Sequence, residues 1–354
     1  MRLTEKRFSA RLISMHTTQK DIAEYLGVSQ SLVSRALSGK GGMIGASDET
    51  MVKIRKAADQ MGYVHNVAAR ALRGGPSQTI GVIVFDFVDP FFGRILSVMQ
   101  HLGVEANYSL VLTGSEHHGM PDNGVRQLMK HRIDGLIIVG SLPLDTWTNP
   151  LANSNTPIVQ VGHGERTKGM RRVAVYEEIG AEGLLVRLKA EGHTTVGFIA
   201  TSTWGHQRRL RVFKRCARQQ GMQVKPEWIA THEGCHAEAG AKATRALLKT
   251  ARDDLPTAIM AIDDELAQGA LRALTDAGLS VPGDISLTGF DDIPAARVMV
   301  PSLTTVHQPI EQITRKAFTL VTDPVRFHEA QPDTILIPPT VCERESTGPA
   351  PAQS

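Results

Sequence analysis

The stretch that decides the organisation of this chain is TQKDIAEYLGVSQSLVSRALSG, residues 18–39. Ile22 and Ala23 begin an apolar stripe at helical spacing, and Gly27 stands where a left-handed residue can end a helix. A second amphipathic helix is predicted after Ser29, which can cap it. Two short helices joined by a tight turn predict a helix-turn-helix, whose second helix enters the major groove of DNA; an ordinary helical hairpin is the alternative.

The polar face of the second helix suits base recognition. Gln30, Ser31 and Arg35 lie on the face that the apolar core leaves open. Gln and Arg side chains can form paired hydrogen bonds with adenine and guanine edges. A third helix is predicted over Ser47–Met61, which would complete a small helical domain.

Charge is divided unevenly along the 354 residues, whose net charge is +3. Residues 1–75 carry +6 and the remainder carries −3, so a basic N-terminal segment precedes a mildly acidic body. A basic segment favours contact with a polyanion, with a solvated charged face as the alternative. The 42% hydrophobic and 21% charged residues are typical of a soluble globular protein, and no apolar run approaches the ~18 residues of a membrane span.

The cysteines and the N-terminus both bear on location. Cys216, Cys235 and Cys342 form no CxxC pair, and their odd number fits a reducing compartment. Residues 1–14 are basic but lack the apolar segment of a secretory signal, so a cytoplasmic location is predicted. This segment is either a basic arm that adds phosphate contacts, or translation starts at Met15.

The periodicity changes after the linker at 74–76. The apolar runs TIGVIVF, YSLVLTG, GLIIVG, TPIVQVG, VGFIAT, AIMAI and DISLTGF alternate with helical stretches. Such alternation predicts right-handed βαβ units and buried parallel sheets. Two such sheets predict a bilobed α/β body.

Open parallel sheets bind ligands beyond the carboxyl ends of their strands, so the informative residues follow each strand. In chain order these are Asp89, Phe91, Phe92, Ser141, His163, Arg209, His236, Asp263, Asp264, Asp291, Asp292 and Gln308. Phenyl rings, an arginine, carboxylates and an amide can stack on a sugar ring and hydrogen-bond its hydroxyl groups. Phe91 and Phe92 could instead belong to the core, and Asp292 is expected at a turn.

Beyond these patterns, the chain resembles the LacI/GalR (lactose-repressor/galactose-repressor) family of bacterial transcription regulators, up to about residue 345. The motifs that carry the resemblance are DIAEYLGVSQSLVSRAL, GYVHNVAARALRGG, VDPFF, GLIIVGS, AIDDELAQGALRAL, VPGDISLTGFDDIP and PSLTTVHQPIEQI. The resemblance implies an N-terminal all-α helix-turn-helix DNA-binding domain. It also implies a bilobed α/β core with two parallel sheets, similar to periplasmic binding proteins.

The resemblance and the strand ends together give two sets of site residues. The expected DNA-binding residues are Thr18, Gln30, Ser31, Ser34, Arg35, Asn66, Ala69, Arg70, Leu72 and Arg73. The expected effector-binding residues are Asp89, Phe91, Phe92, His163, Arg209, His236, Asp263, Asp291 and Gln308. Residues 66–73 would form a hinge helix whose Leu72 opens a base step from the minor groove, because so short a helix is marginal without a partner.

The chain departs from the family pattern in three places. Residues 37–50 form a longer and more glycine-rich connection than usual. Gly162 and His163 stand where an acid and an arginine are common, and Asp263 stands where asparagine is commoner. Since an unpaired buried carboxylate is strongly unfavourable, Asp263 is expected to face Arg209, water or a ligand donor. A plain galactoside is not expected.

These patterns suggest five segments: an N-terminal extension at 1–16, the helix-turn-helix domain at 17–64, a hinge helix and linker at 65–77, a two-lobed effector-binding and dimerisation core at 78–345, and a flexible tail at 346–354. The tail is polar and rich in proline, without the apolar heptads of a tetramer-forming helix. Its composition favours a dimer.

Other functions fit the sequence less well. His232–His236 matches the HExxH pattern of zinc proteases, but it follows a predicted strand and contains Gly234, which disfavours the continuous helix such a site needs. Asp263 and Asp291 could be imagined as a glycosidase pair, although nothing in the sequence fixes their separation. A solute-binding transport component would have no use for a DNA-binding segment. No enzyme activity, metal or cofactor is therefore expected.

The sequence predicts a ligand-responsive, sequence-specific transcription regulator, most simply a repressor of genes for sugars or related carbon sources. One reading helix with a marginal hinge recognises too little DNA alone, so a homodimer on a pseudo-palindromic double-stranded operator is expected, without a membrane partner. The effector is expected to be a sugar or a derivative. A non-sugar metabolite, such as a nucleobase or a sugar phosphate, is the alternative.

Overall fold

A computed structural model describes residues 17–37, 47–63, 75–114, 128, 130–141, 156–164, 169–252, 254–329 and 332–352. The chain divides into two compact units, Met1–Gly75 and Pro76–Ser354. The predictions for the N-terminal extension, for most of the connection at 37–50 and for the hinge helix lie outside the described residues.

The first unit contains the predicted helix-turn-helix. Its helices are α1 (Gln19–Leu26), α2 (Gln30–Leu37) and α3 (Asp48–Gln60). Thr18 and Asp21 form a capping box at the start of α1, in which each side chain bonds the other's backbone N–H. Gly27 ends α1 at φ 66°, the left-handed conformation that its lack of a Cβ makes favourable. The prediction that Gly27 ends this helix is confirmed.

A small apolar core joins the three helices. Ile22 of α1, Val33 of α2 and Ile54 of α3 are fully buried in it. Two hydrogen bonds join the start of the described helical unit to the end of α3 and the residues after it. Thr17 Oγ1 donates to the Met61 carbonyl at 2.6 Å, and Gln19 Nε2 donates to the Tyr63 hydroxyl at 3.0 Å. The apolar residues are therefore used for packing, which leaves the polar face of α2 open.

The second unit alternates strands and helices. Its strands are β1 (Thr79–Val84), β2 (Ser109–Gly114), β3 (Gly135–Val139), β4 (Ile158–Val161), β5 (Arg171–Val175), β6 (Val196–Thr201), β7 (Ile229–His232), β8 (Ala258–Ala261), β9 (Ser286–Thr288), β10 (Thr305–His307), β11 (Thr334–Ile337) and β12 (Thr340–Cys342). Its described helices are α4 (Pro90–Glu105), α5 (Glu177–Ala190), α6 (Trp204–Gln219), α7 (His236–Ala251), α8 (Asp264–Asp276), α9 (Ile310–Thr322) and α10 (Pro324–His328). Of the described helices, none is both long and apolar enough to cross a membrane.

Two parallel sheets form the two lobes, as the alternating pattern predicted. The first lobe contains a six-stranded sheet in the order β11-β5-β4-β3-β1-β2, and the second contains a four-stranded sheet in the order β7-β6-β8-β9. Each neighbouring pair in both sheets is parallel. The short strands β10 and β12 form a separate antiparallel pair. The apolar runs had indicated β1 to β4, β6, β8 and β9, but β5, β10, β11 and β12 were not predicted from them.

The chain passes between the lobes three times. Helix α5 follows β5 of the first sheet but packs against α6 of the second lobe. Helix α9 follows β10 but packs against α4 and the first sheet, and the chain returns from β11 to β12, which contacts α5. Because three connections join the lobes, the segments just after β5 and β10 lie where the two lobes meet.

The C-terminal segment differs from the expected flexible tail at 346–354. Ser346 is buried, and it exchanges hydrogen bonds with Leu287 of β9: Leu287 N donates to the Ser346 carbonyl at 2.8 Å, and Ser346 Oγ donates to the Leu287 carbonyl at 2.6 Å. The Gly348 carbonyl lies 3.0 Å from His193 Nε2. The segment is polar because its hydroxyl groups bond to the edge of the second sheet, and composition alone could not distinguish this from a solvated tail.

Candidate functional site

The polar face of α2 is open in the first unit. Gln30, Ser31 and Arg35 are exposed and Ser34 is half-buried, while Val33 packs into the core. Arg35 Nε donates to the Ser31 carbonyl at 3.1 Å, which directs the guanidinium back along the helix. The predicted reading residues thus share one accessible helical face. Thr18 is exposed at the N-terminus of α1, and the five predicted hinge residues, Asn66, Ala69, Arg70, Leu72 and Arg73, lie outside the described residues.

A cavity of about 110 Å³ lies between the lobes of the second unit. All nine residues predicted to bind the effector line it: Asp89, Phe91, Phe92, His163, Arg209, His236, Asp263, Asp291 and Gln308. Five further polar or charged lining residues were not predicted: Asp86, Glu177, Thr203, His206 and Glu265. The strand-end rule therefore identified much of the lining, and the missed residues supply most of the ion pairs described below.

Arg209 is held firmly at the wall of the cavity. Its Nε donates to Glu177 Oε1 at 2.9 Å, its Nη1 donates to the Ile262 carbonyl at 2.8 Å, and its guanidinium lies 4.3 Å from the Phe290 ring centroid. Arg208 Nη1 donates to the other Glu177 oxygen. Burial opposes ionisation of Glu177, but the two arginines hold the pKa of its carboxyl below the ordinary value. Glu177 is therefore an anion fully matched by two cations.

Asp263 is paired with a histidine, which the sequence had not named among its partners. Its Oδ1 accepts from Leu266 N at 2.7 Å and so caps α8, while its Oδ2 lies 3.0 Å from His206 Nε2. The other ring nitrogen of His206 lies 2.8 Å from Thr201 Oγ1. Despite burial, His206 and the helix amide hold the pKa of Asp263 below its ordinary value. The sequence had offered Arg209, water or a ligand donor as partners of Asp263; the direct partner is His206, and the Arg209 charge also acts on the carboxyl.

Asp291 and Asp292 follow β9 and point to different surroundings. Asp291 is buried at the cavity, where Gln308 Nε2 donates to its Oδ1 and Arg209 Nη1 lies 3.8 Å away. Burial raises the pKa of Asp291 well above its ordinary value. Asp292 does not line the cavity and is bonded by Arg344 and by Arg297 at 3.0 Å. Asp292 thus serves the fold at this turn, in agreement with the prediction.

His236 connects the two lobes across the cavity. Its Nδ1 lies 2.5 Å from Glu265 Oε2 of the second lobe, and its Nε2 lies 3.2 Å from Asp86 Oδ2 of the first. Burial opposes protonation, but the Glu265 and Asp86 carboxylates raise the pKa of His236 above its ordinary value. His236 has a φ of 64°, an unusual backbone conformation for a side-chain-bearing residue. These features describe an imidazole that bridges one acid from each lobe.

Asp89 and the phenyl rings form the first-lobe wall. Asp89 Oδ1 accepts from Phe91 N at 2.8 Å and caps α4. Burial and the nearby Asp263 charge raise the pKa of Asp89 to about 7. Phe91 and Phe92 line the cavity as a T-shaped pair with ring centroids 5.3 Å apart, and each is also partly packed against the core.

His163 occupies the position where the resemblance implied an arginine. Its Nε2 lies 2.8 Å from the Val175 carbonyl and 3.9 Å from Glu177 Oε2. Burial lowers the pKa of His163 below its ordinary value. The residue therefore contributes a neutral ring to the cavity where an arginine would contribute a charge.

The HExxH match at His232–His236 has the geometry expected of a loop. His232 ends β7, His236 begins α7, and Gly234 between them has a φ of 94°. The two histidines are therefore not presented from one continuous helix. Among the described residues, no group of three His, Cys, Asp or Glu side chains is arranged to hold a metal ion.

The two units match two families of known domains. Residues 18–66 match the model for bacterial regulatory proteins of the lacI family, and residues 185–347 match a periplasmic binding protein-like domain. A DNA-binding helix-turn-helix and a two-lobed ligand-binding core thus occur in one chain. Catabolite control protein A of Priestia megaterium is 25% identical over 337 residues, which cover 94% of this chain and 100% of that relative. The transcriptional repressor PurR of Actinobacillus pleuropneumoniae is 29% identical over 339 residues, which cover 93% and 98%.

Solved structures agree with these matches. The lac repressor dimer bound to operator and the anti-inducer ONPF has a TM-score of 0.82 and 25% identity, covering 94% of this chain and 100% of that one. A LacI family regulator from Enterococcus faecium with bound ribose has a TM-score of 0.66 and 25% identity, covering 77% and 99%. The chain belongs to the LacI/GalR family of bacterial transcription regulators. It is a DNA-binding regulator with a ligand-binding core and not an enzyme.

Proposed function

We propose that the chain is a cytoplasmic, homodimeric repressor that binds a pseudo-palindromic operator and responds to a sugar or sugar derivative in the cleft between its lobes. The proposal rests on two features found in one chain: an exposed polar face on α2 that could contact bases, and a cavity between the two lobes of the second unit. The E. faecium relative holds ribose, and this likeness supports a sugar as the starting hypothesis.

On the DNA side, the exposed residues of α2 would read bases in the major groove. Gln30 and Arg35 carry the groups suited to paired hydrogen bonds, with Ser31 and Ser34 beside them. Thr18 at the start of α1 would contact the backbone, since helix N-termini favour phosphate. Residues 66–73 would add the hinge helix, with Leu72 inserted in the minor groove.

On the effector side, the ligand would contact both lobes at once and would favour one arrangement of the lobes. Such differential binding couples the cleft to the DNA by typically about 1–3 kcal/mol. The proposed division of labour is DNA binding by residues 17–64, coupling by 65–77 and effector binding and dimerisation by 78–345.

Selection of DNA fragments by the full-length protein tests this function. Repeated rounds should enrich a two-fold symmetric sequence, and a sugar that raises the unfolding temperature should change the affinity for that sequence. Leu72→Ala should weaken specific binding far more than non-specific binding, because only specific DNA would be bent for the wedge. If no sequence is enriched with or without any sugar, the proposal fails.

A further inference from the structure

From the charges that line the cleft, we infer that its effector is a small hydroxylated molecule with a protonated amine, of the amino-sugar class, rather than a neutral sugar. The inference rests on the proposed function, because it specifies the ligand of the same cleft. It is carried by an excess of carboxylates over cations at the cavity wall, in a site that also contains aromatic rings and neutral polar groups.

Carboxylates dominate the charged lining of the cavity. Six of them face it, together with one arginine and three histidines: Asp86, Asp89, Glu177, Asp263, Glu265, Asp291, Arg209, His163, His206 and His236. His163 is held neutral by burial, as its lowered pKa indicates, so it adds no positive charge. Carboxylates brought together in a water-poor cavity raise one another's free energy unless cations match them.

The available cations are already committed to particular acids. Arg208 and Arg209 both pair with Glu177, and His206 pairs with Asp263 at 3.0 Å. The single imidazole of His236 lies between Asp86 and Glu265, so one ring is shared by two carboxylates. Of the six carboxyl groups, Asp89 and Asp291 therefore have no cationic side chain at hydrogen-bond distance among the described residues.

Asp89 is the carboxylate that remains unmatched. Its Oδ1 accepts the Phe91 amide, and no Lys, Arg or His among the described residues lies within salt-bridge distance of either oxygen. Asp291 lies in the same cavity, nine-tenths buried, with Arg209 Nη1 no closer than 3.8 Å. An ammonium group between these walls would supply the missing positive charge and donate up to three hydrogen bonds.

The rest of the lining suits the neutral part of such a molecule. Phe91 and Phe92 offer ring faces and edges, which stack on the apolar face of a pyranose and also attract cations. Ser141, Thr203 and Gln308 offer hydroxyl and amide groups to the ligand's hydroxyls. A simple polyamine would leave these neutral polar groups without partners, so the lining favours a hydroxylated amine.

Two other ways to neutralise the cleft make different predictions. A metal ion would need several of the acids to converge, and no group of three such side chains among the described residues has that arrangement. Protons could neutralise Asp89 and Asp291, whose pKa values burial raises, and a neutral sugar could then bind. In that case an amide in place of the Asp89 carboxyl would bind the ligand as well.

Calorimetric titration of the full-length protein with matched sugars tests the inference. Glucosamine, galactosamine and mannosamine are each compared with the parent hexose and with the N-acetylated, uncharged derivative. At least one amine should bind about 10- to 100-fold more tightly than both neutral counterparts, the range for a hydrogen bond to a charged group. Since the Asp89 carboxyl must ionise to bind it, binding near pH 7 should release protons, measured as a dependence of the heat on the buffer.

Asp89→Asn provides the decisive variant, because asparagine also caps helices and should preserve α4. It should remove the 10- to 100-fold preference for the amine over the parent hexose. Glu105→Gln, at the other end of α4 and exposed, is the matched control and should leave the preference intact. Thermal unfolding of both variants verifies that they are folded.

The outcomes separate this inference from the proposed function. If a parent hexose binds as tightly as its amine, or if Asp89→Asn retains the preference, the cationic effector is excluded while a sugar-responsive repressor stands. If no amino sugar binds, or if Mg²⁺ or Ca²⁺ alone stabilises the protein through Asp89, the inference is also overturned. DNA selection is independent of these titrations, and its failure would count against the proposed function instead.

Discussion

The DNA-reading face and the effector cleft use arginine in opposite ways. Arg35 on α2 is exposed, and its Nε donates to the Ser31 carbonyl one turn earlier. Arg209 has a side chain only 15% exposed and is fixed by Glu177 and by the Ile262 carbonyl. An exposed arginine can change its rotamer to fit a base edge. A fixed arginine acts on the cleft mainly through the electrostatic field of its positive charge. The comparison teaches that the acids around Arg209, more than the arginine itself, set what the cleft can bind.

The largest effect should come from removing the charge that fixes Arg209. Glu177→Gln leaves Arg208 and Arg209 without their shared anion, and breaking a buried ion pair in this way typically destabilises by about 3–5 kcal/mol. Chemical denaturation of the second unit should show this loss. Glu182→Gln, on the exposed face of the same helix, should change stability by less than about 0.5 kcal/mol. Equal stability of the two variants would mean that Arg209 is not held by Glu177.

The next effect concerns the exposed arginine. Arg35→Ala should relax the preference at one base pair of each operator half-site, by about 1–3 kcal/mol, without destabilising the fold. DNA selection with the variant and the wild type measures the preference position by position. Arg55→Ala, exposed on α3, should instead weaken binding uniformly if it has any effect. An unchanged preference at every position would remove Arg35 from the reading face.

Part of the cleft lining could be predicted from the sequence. Parallel strands end at a common edge, so residues such as Asp89, Asp263 and Asp291 could be assigned to one cleft from strand ends alone. Glu177 follows β5 by two residues and obeys the same rule. It was missed because β5, with its two arginines, did not have the appearance of a buried strand.

The pairings inside the cleft could not be inferred in this way. His236 meets Asp86 only because the two lobes face each other, and Asp263 meets His206 only because α6 starts beside β6. Local periodicity specifies which elements form, but not which side chains of distant elements approach one another. The buried C-terminal segment around Ser346 is another such case, since its hydroxyl groups bond a sheet edge that lies far away in sequence.

A smaller effect is expected at the start of the helix-turn-helix. Thr18→Ala removes the side chain that accepts from Asp21 N and donates to the Asp21 carboxylate, and loss of such a cap typically destabilises by about 1 kcal/mol. Thermal unfolding of the first unit should report the loss, whereas Thr18→Ser should retain most of the stability because its hydroxyl is kept. A destabilisation as large in Thr18→Ser would show that the methyl group matters more than the cap.

The smallest effect is a change in how stability depends on pH. His236 has its pKa raised by Glu265 and Asp86, and Asp89 lies nearby. A histidine whose pKa rises on folding stabilises the protein below the unfolded-state pKa of about 6.5, and this contribution is lost as pH rises through the folded-state pKa.

His236→Asn tests this contribution, because asparagine tolerates the left-handed backbone at this position. The variant should therefore lose about 0.5–1 kcal/mol more at about pH 5.5 than at about pH 8.5, the range for a partly exposed ion pair. Because Asp89, whose pKa is about 7, interacts with His236, both proteins carry Asp89→Asn so that its titration does not enter the difference. Denaturant unfolding at the two pH values measures that difference, and an equal loss at both would mean that the bridge between the lobes is held by packing rather than by the charge of His236.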